Sequence, residues 1–234
     1  MTSFVQIFYD PGAVFARVKE RGSWAAPLVM AVLIIMIFTA YVSQTIGMEN
    51  MTRRFFDEHP SFVSRIPPDK LEETIRQSGS PARLVMGSVS AGLMTAVVTL
   101  IIALVLMMML FIMDRRPGLP QMLGTVAWAM FPFVVMSCVM GVLILLFSRD
   151  PTELDPRSLL ATNVGALLDK NSTGKFAFSI ASSLDLLAIG KVLFLSFGTS
   201  KVAGLPFSRS LALVTALWVM WVLLRGGFQA AVGF

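Results

Sequence analysis

Two charged residues, Asp185 and Lys191, stand inside an otherwise apolar stretch of this sequence. A charged side chain at the centre of a membrane span costs about 2.5–3.5 kcal/mol on insertion scales, so it usually has a partner or a function. Six residues of helix place the two about 120° apart around the axis and about 9 Å apart along it. Direct pairing is therefore not expected. The open interpretations are a structural role, an ion or proton pathway, or docking of a partner.

Catalytic and metal chemistry have few candidate residues. His59 is the single histidine and Cys138 the single cysteine, which leaves too few ligands for a Cys/His metal site. The sequence contains no HExxH, GxSxG or GxxxxGKS motif. It therefore predicts no enzymatic activity, no catalytic residue, no cofactor and no metal site.

The composition is that of a membrane protein. Of 234 residues, 56% are hydrophobic and only 14% are charged, and the mean hydropathy is +0.76. The charges fall in blocks between long apolar runs, which is typical of a chain that crosses the bilayer several times. The net charge is +5, but the Lys and Arg residues are spread over every loop rather than gathered on one face. The lipid bilayer is therefore a predicted partner and nucleic acid is not.

The apolar runs predict an all-α transmembrane bundle of five helices, because about 20 apolar residues cross the hydrocarbon core. We expect this single domain to cover residues 25–234 and a cytoplasmic interfacial segment to cover 1–24. The fourth run qualifies only if it tolerates Asp185 and Lys191. The expected spans are 25–46, 88–113, 122–147, 176–198 and 208–232.

The distribution of Lys and Arg predicts the orientation. If the N-terminus lies in the cytoplasm, segments 1–24, 114–121 and 199–209 are all cytoplasmic, and each carries net positive charge. The two outer loops, 47–87 and 148–175, are neutral. Positive charge accumulates in cytoplasmic loops, so the sequence favours a cytoplasmic N-terminus and an extracytoplasmic C-terminus.

The outer loops carry signals of short amphipathic helices. In the first loop, the stretch "PPDKLEETIRQSG" has prolines at its start and a glycine at its end, and Leu71 and Ile75 share one helical face. In the second loop, Asp155 can cap a helix and Pro156 can occupy its first position.

The segment before the first apolar run predicts a further helix. Asp10 is a good cap and Pro11 suits the first helical position. Its apolar side is formed by Pro11, Val14, Phe15 and Val18, and its polar side by Arg17, Lys19, Glu20 and Arg21. Trp24 marks the entry to the first span. We expect an in-plane cytoplasmic helix folded against the bundle, which serves either as an anchor or as a docking surface.

Three motifs occur in a fixed order along the chain. The first is "DPGAVFARVKERGSWAAP", with Asp10, Pro11, Phe15 and Trp24 at its characteristic positions. The second is "WAMFPFVV", in which Pro132 follows an aromatic residue inside the third apolar run. The third is "LDLLAIGKVLFLSFGTSK", which opens around Asp185 and continues through Lys191.

Together these motifs resemble bacterial members of the Yip1 family of small five-span membrane proteins over nearly all of residues 8–224. The resemblance implies a five-helix fold in the bacterial inner membrane, a cytoplasmic N-terminus and no enzymatic activity. Some bacterial relatives are associated with ABC-type exporters as accessory subunits. Eukaryotic relatives are associated with small GTPases, but the acidic, proline-containing motif linked to that binding is absent here.

Two hypotheses of function follow. The first is a non-catalytic accessory or scaffold subunit of a membrane complex such as an ABC-type exporter. The alternative is a small transporter or channel that uses Asp185 and Lys191. A transporter usually lines a midplane site with several polar groups or broken helices, and the apolar runs offer few such groups.

Overall fold

The structure is a computed structural model, which describes residues 2–58, 63–64, 66–156, 159–160, 162–168 and 173–232. Within these ranges the secondary structure is helical, apart from turns and one isolated antiparallel β-bridge. The helices are α1 (Thr2–Tyr9), α2 (Pro11–Arg21), α3 (Ala25–Val42), α4 (Met48–Glu58), α5 (Pro68–Ser78), α6 (Pro81–Ile112), α7 (Leu119–Phe147), α8 (Lys175–Ser183), α9 (Leu186–Ala203) and α10 (Phe207–Val232).

Five helices are long and apolar enough to cross a membrane. They are Ala25–Asp57, Pro81–Ile112, Leu119–Phe147, Leu186–Ala203 and Phe207–Phe228. This finding confirms the prediction of a polytopic, all-α bundle with five long apolar helices.

Helix α7 occupies the centre of the bundle. It packs against α3 and α6 on one side, against α9 on another, and against α1 and α2 near its beginning. Its fully or nearly fully buried side chains are concentrated in its first half and include Met122, Val126, Trp128, Ala129 and Phe131. The main hydrophobic core is therefore closest to the end of the bundle where α7 begins.

We call this the N-terminal end of the bundle, because α2 and the turns 113–118 and 204–206 also lie there. The opposite end carries α4, α5 and the connection between α7 and α9.

The fourth apolar run does not form the continuous span 176–198 that the sequence suggested. It is divided into α8 and α9, and Asp185 between them has an extended backbone (φ −112°, ψ 136°). The backbone on either side of Asp185 pairs with the preceding loop: Val164 N donates to Leu184 O (3.1 Å), and Leu186 N donates to Thr162 O (3.3 Å). Because these groups bond to another segment, the helix cannot continue through Leu184 and Asp185.

The first apolar helix is longer than a membrane span. After Val42 the chain passes through a π-helical segment, Ser43–Gly47, into α4. The continuous helical segment therefore extends from Ala25 to Asp57. At 1.5 Å per residue its 33 residues extend roughly 50 Å, well beyond a hydrocarbon core of about 30 Å. A helix of this length therefore extends beyond the hydrocarbon core.

Helix α5 lies where the sequence predicts a short amphipathic helix, with Pro68 in its first turn and Gly79 at its end. Its buried Ile75 faces α4. The guanidinium of Arg53 donates two hydrogen bonds to Glu72 (Nη1–Oε1 3.0 Å, Nη2–Oε2 3.1 Å). These bonds hold the pKa of the Glu72 carboxyl below its usual range.

Arg54, also on α4, connects this helix to the second outer loop, 148–175. Its guanidinium donates to the carbonyl oxygens of Thr152 (2.6 Å) and Glu153 (2.7 Å). In that loop a short 3₁₀ turn, Pro151–Glu153, is capped by Asp150. The helix expected to begin around Pro156 would extend through residues 157–158, which lie outside the described residues.

Candidate functional site

Helix α2 forms because its two ends carry strong local signals. The Oδ1 atom of Asp10 accepts a hydrogen bond from the backbone N–H of Ala13 (3.2 Å), and Pro11 occupies the first turn. The helix ends at Gly22, whose φ of +57° lies in the left-handed region that favours glycine. The Gly22 N–H donates to the carbonyl oxygen of Val18 (2.8 Å).

The apolar side of α2 is buried in the bundle. Val14, Phe15 and Val18 are all at most 1% exposed. The ring of Phe15 makes edge contacts with Phe194 and Phe197 of α9, at centroid distances of 6.1 and 6.0 Å. Phe15 is therefore a core residue that fastens α2 to α9.

Helix α1 extends along the side of the bundle. The ring of Phe4 lies 5.1 Å from that of Trp128 and 5.2 Å from that of Phe131, and Ile7 is fully buried. Trp128 is nine residues into α7, or about 14 Å along the helix at 1.5 Å per residue. The ring contact of Phe4 therefore lies toward the middle of α7 rather than at its first turn.

The polar side chains of α1 are turned inward. The guanidinium Nη2 of Arg17 donates to Ser3 Oγ (3.2 Å) and to Gln6 Oε1 (2.7 Å). The outward residues Val5, Phe8 and Tyr9 are 66%, 55% and 71% exposed. The outward face of α1 is therefore formed by large apolar and aromatic side chains, whereas Ser3 and Gln6 are held by Arg17.

The end of α2 is fixed to the beginning of α7. The Gln121 side chain donates from Nε2 to the carbonyl oxygen of Lys19 (2.6 Å) and accepts at Oε1 from the N–H of Gly118 (2.6 Å). The indole Nε1 of Trp128 donates to the carbonyl oxygen of Ser23 (3.0 Å). A Cβ atom at Gly124 would lie 2.9 Å from a methyl carbon of Val18, so glycine permits this close approach.

Trp24 follows Ser23 in the chain, and Pro132 lies about one helical turn after Trp128. Trp24 directly precedes α3 at its cap position and is 37% exposed. Pro132 is buried inside α7, directly after Phe131. Because proline has no N–H, the carbonyl of Trp128 receives no helical hydrogen bond from this position.

Asp185 caps α9. Its Oδ1 atom accepts hydrogen bonds from the backbone N–H of Leu187 (2.7 Å) and from the hydroxyl of Thr162 (3.0 Å). The signal for this role was in the sequence, since Asp is a preferred cap, but the long apolar run around it suggested a continuous span.

Lys191 is partly buried and lies on the same side of α9 as the buried residues Leu187 and Leu195. Among the described residues no carboxylate forms a salt bridge with Lys191. Thus the structure does not bring the two charges into a direct pair, in agreement with their spacing.

The sequence-predicted residues fall into two separate groups. Asp10, Pro11 and Phe15 belong to the contact of α2 at the N-terminal end, whereas Asp185 lies directly before α9 and Lys191 lies in the first half of α9. Sequence reasoning missed the roles of Gln121 and Trp128, because their partners, Lys19 in α2 and Ser23 just after it, are more than 100 residues away. Within the described ranges, no group of three His, Cys, Asp or Glu residues is placed to hold a metal ion.

Comparison with known proteins assigns the family. No curated protein and no solved structure matches the chain. The model of the Yip1 domain family matches residues 5–228, which include most of α1, all of α2 and the five long apolar helices. The chain is an integral membrane protein that belongs to the Yip1 domain family.

Proposed function

We propose that this protein is a non-catalytic accessory or scaffold subunit of a membrane complex, such as an ABC-type exporter, in a bacterial inner membrane with its N-terminus in the cytoplasm. The observation that supports this proposal is the outward face of α1. There, three large side chains, Val5, Phe8 and Tyr9, are exposed on a helix whose back is fixed in the bundle. The association of some bacterial Yip1 relatives with ABC-type exporters suggests the kind of partner.

A face held in this way is suited to binding. Phe4 and Ile7 anchor the back of α1 in the core, and Arg17 satisfies its inward polar groups. Little conformational entropy remains to be lost when a partner docks, which favours affinity. Aromatic side chains are also enriched at the centres of protein interfaces.

Substitution of the exposed face tests the proposal more cleanly than deletion of residues 1–21. Such a deletion would remove Phe15 and other core residues, so loss of a partner could simply reflect a damaged bundle. We expect the double variant Phe8→Ala and Tyr9→Ala to keep its thermal stability in detergent. We also expect it to recover several-fold less of the exporter subunits that co-purify with the tagged wild-type protein, quantified by mass spectrometry.

The matched control is Phe147→Ala with Phe228→Ala, which removes two exposed aromatic rings at the opposite end. It should recover as much exporter as the wild type. Equal recovery with the α1 variant, or wild-type protein that enriches no exporter subunit, would refute the proposed docking role.

A small transporter or channel is a second candidate, and the observation that favours it is Lys191. This cation lies six residues after a break in the fourth apolar run, and broken helices mark the binding sites of many transporters. The two functions differ in what the purified protein does alone. A transporter should give proteoliposomes an ion or proton flux that Lys191→Met abolishes, whereas an accessory subunit should give none.

A further inference from the structure

We infer a binding site for the headgroup phosphate of an anionic phospholipid at the place where the end of α2 meets the turn between α6 and α7. The inference is independent of the exporter partnership, because it rests on a different surface. The site consists of four exposed cations: Lys19 and Arg21 from α2, and Arg115 and Arg116 from the turn.

The fold brings these two pairs together although they are almost 100 residues apart in sequence. Gln121 is the link, since it binds the carbonyl oxygen of Lys19 and the N–H of Gly118. The contact between Gly22 and Pro120 is equally close: a Cβ atom at Gly22 would lie 2.8 Å from Cβ of Pro120. Arg115 and Arg116 precede Gly118 by only three and two residues.

The apolar surroundings of the cations fit a lipid rather than a soluble anion. The guanidinium of Arg116 lies 5.1 Å from the centre of the Phe111 ring, and Phe111 is itself 59% exposed. Ile112 and Leu119 are exposed beside it. The positive charges therefore lie at the edge of an apolar surface, where headgroup phosphates lie above acyl chains.

The balance of charge also favours an anion. Two carboxylates, Glu20 and Asp114, lie among the four cations, so the patch keeps a net charge of about +2 by simple counting. In the loops of the opposite end, 47–87 and 148–175, acidic and basic residues are equal in number. Each Lys or Arg near an anionic membrane surface strengthens attraction measurably, whereas a neutral surface gives no such preference.

The test measures lipid preference of the full-length protein. Purified protein is exchanged into nanodiscs that contain phosphatidylcholine and phosphatidylglycerol, and the lipids that stay bound after release are counted by native mass spectrometry. We expect wild-type protein to retain phosphatidylglycerol preferentially. The variant Lys19→Gln, Arg21→Gln, Arg115→Gln and Arg116→Gln should lose affinity for it by about fivefold for each charge removed.

A matched control removes the same number of exposed cations from the opposite end. It carries Arg76→Gln, Arg83→Gln, Arg149→Gln and Arg225→Gln, and it should keep the wild-type preference. An equal loss in both variants would show a general charge effect and would overturn the site. So would unchanged preference in the patch variant.

Gln121→Met separates geometry from charge, because it keeps all four cations and removes the link between α2 and α7. We expect a partial loss of phosphatidylglycerol preference with no change in net charge. A fully retained preference would show that the arrangement of the cations is irrelevant. If inorganic phosphate alone raised the melting temperature of the wild type as much as phosphatidylglycerol does, the site would be one for free anions and the lipid assignment would be wrong.

Discussion

The carboxylate of Asp185 shows how a charged side chain can be accommodated in an otherwise apolar stretch of sequence. Asp185 lies 18 residues before Ala203, or about 27 Å along the helix, close to the roughly 30 Å thickness of the hydrocarbon core. Its position is therefore near the boundary of the membrane. Its Oδ1 atom accepts hydrogen bonds from Leu187 and Thr162. Lys191 lies deeper, and helical side chains lean toward the N-terminus, which directs its amine toward this same boundary.

Substitution of Asp185 distinguishes capping from a role that needs charge. Asp185→Asn should remain close to wild type in thermal unfolding in detergent, because Asn caps helices as well as Asp does. Asp185→Ala should lose about 1 kcal/mol, the typical contribution of a cap. If Asn were as destabilising as Ala, capping would not explain the residue. Loss of transport or export in the Asn variant without a change in melting would favour the transporter.

The Arg53–Glu72 pair predicts a pH dependence in the outer loop. The folded pKa of Glu72 is lowered by its hydrogen bonds to Arg53, so the contribution of the pair is fully present above the unfolded-state pKa of about 4.3 and is lost as the pH falls through the folded pKa. Glu72→Gln should therefore melt slightly below wild type at neutral pH. The difference should disappear in acid. A difference that persisted in acid would mean that packing, not ionisation, carries the effect.

At the scale of secondary-structure elements, the attachment of α2 to α9 depends on the absence of a side chain at Gly198. A Cβ atom there would lie 2.6 Å from the Phe15 ring, which Phe194 and Phe197 also contact. Overpacking of this kind typically costs about 1–3 kcal/mol. Gly198→Val should therefore lower the unfolding temperature and raise amide hydrogen exchange in residues 11–21.

The control is Gly87→Val in α6, where an added Cβ meets nothing within 4 Å. It introduces the same side chain into a helix without a clash, so it should melt at or above the wild-type temperature. Equal destabilisation by the two variants would show that the packing of Phe15 against Gly198 contributes little.

Elements with local signals could be predicted from the sequence, whereas those fixed by distant partners could not. The ends of α2 follow from Asp10, Pro11 and Gly22, and those of α5 follow from Pro67 and Pro68 at its start and a glycine after it. The break before α9 depends on backbone pairing with Thr162 and Val164, which no periodicity in the fourth run reveals.

The candidate surfaces follow the same rule. That Phe15 belongs to an apolar side of α2 could be predicted, but the apolar pattern does not say whether that side faces lipid or protein. In the structure this side faces protein, because the ring of Phe15 contacts two aromatic rings of α9. The proposed lipid site was less predictable still, because Gln121 joins segments that are far apart in the chain.

At the scale of the whole molecule, the number of crossings sets the positions of the chain ends. Five crossings place the C-terminus on the opposite side of the membrane from the N-terminus. Whether α9 crosses the membrane decides the number of crossings. It has 18 residues, or about 27 Å, and the break at Asp185 separates it from α8. If α9 returned to its own side instead of crossing, the C-terminus would lie with the N-terminus.

Reporter fusions decide between these topologies. A reporter active only outside the cytoplasm should be active when fused after position 60 or at the C-terminus, and inactive within the turn at Arg116. The net positive charge of segments 1–24, 114–121 and 199–209 favours this outcome, since cytoplasmic segments collect Lys and Arg. An inactive C-terminal fusion with an active fusion at position 60 would mean an even number of crossings and would make α9 re-entrant. Activity at Arg116 alone would reverse the whole molecule and put the proposed lipid site in the outer leaflet.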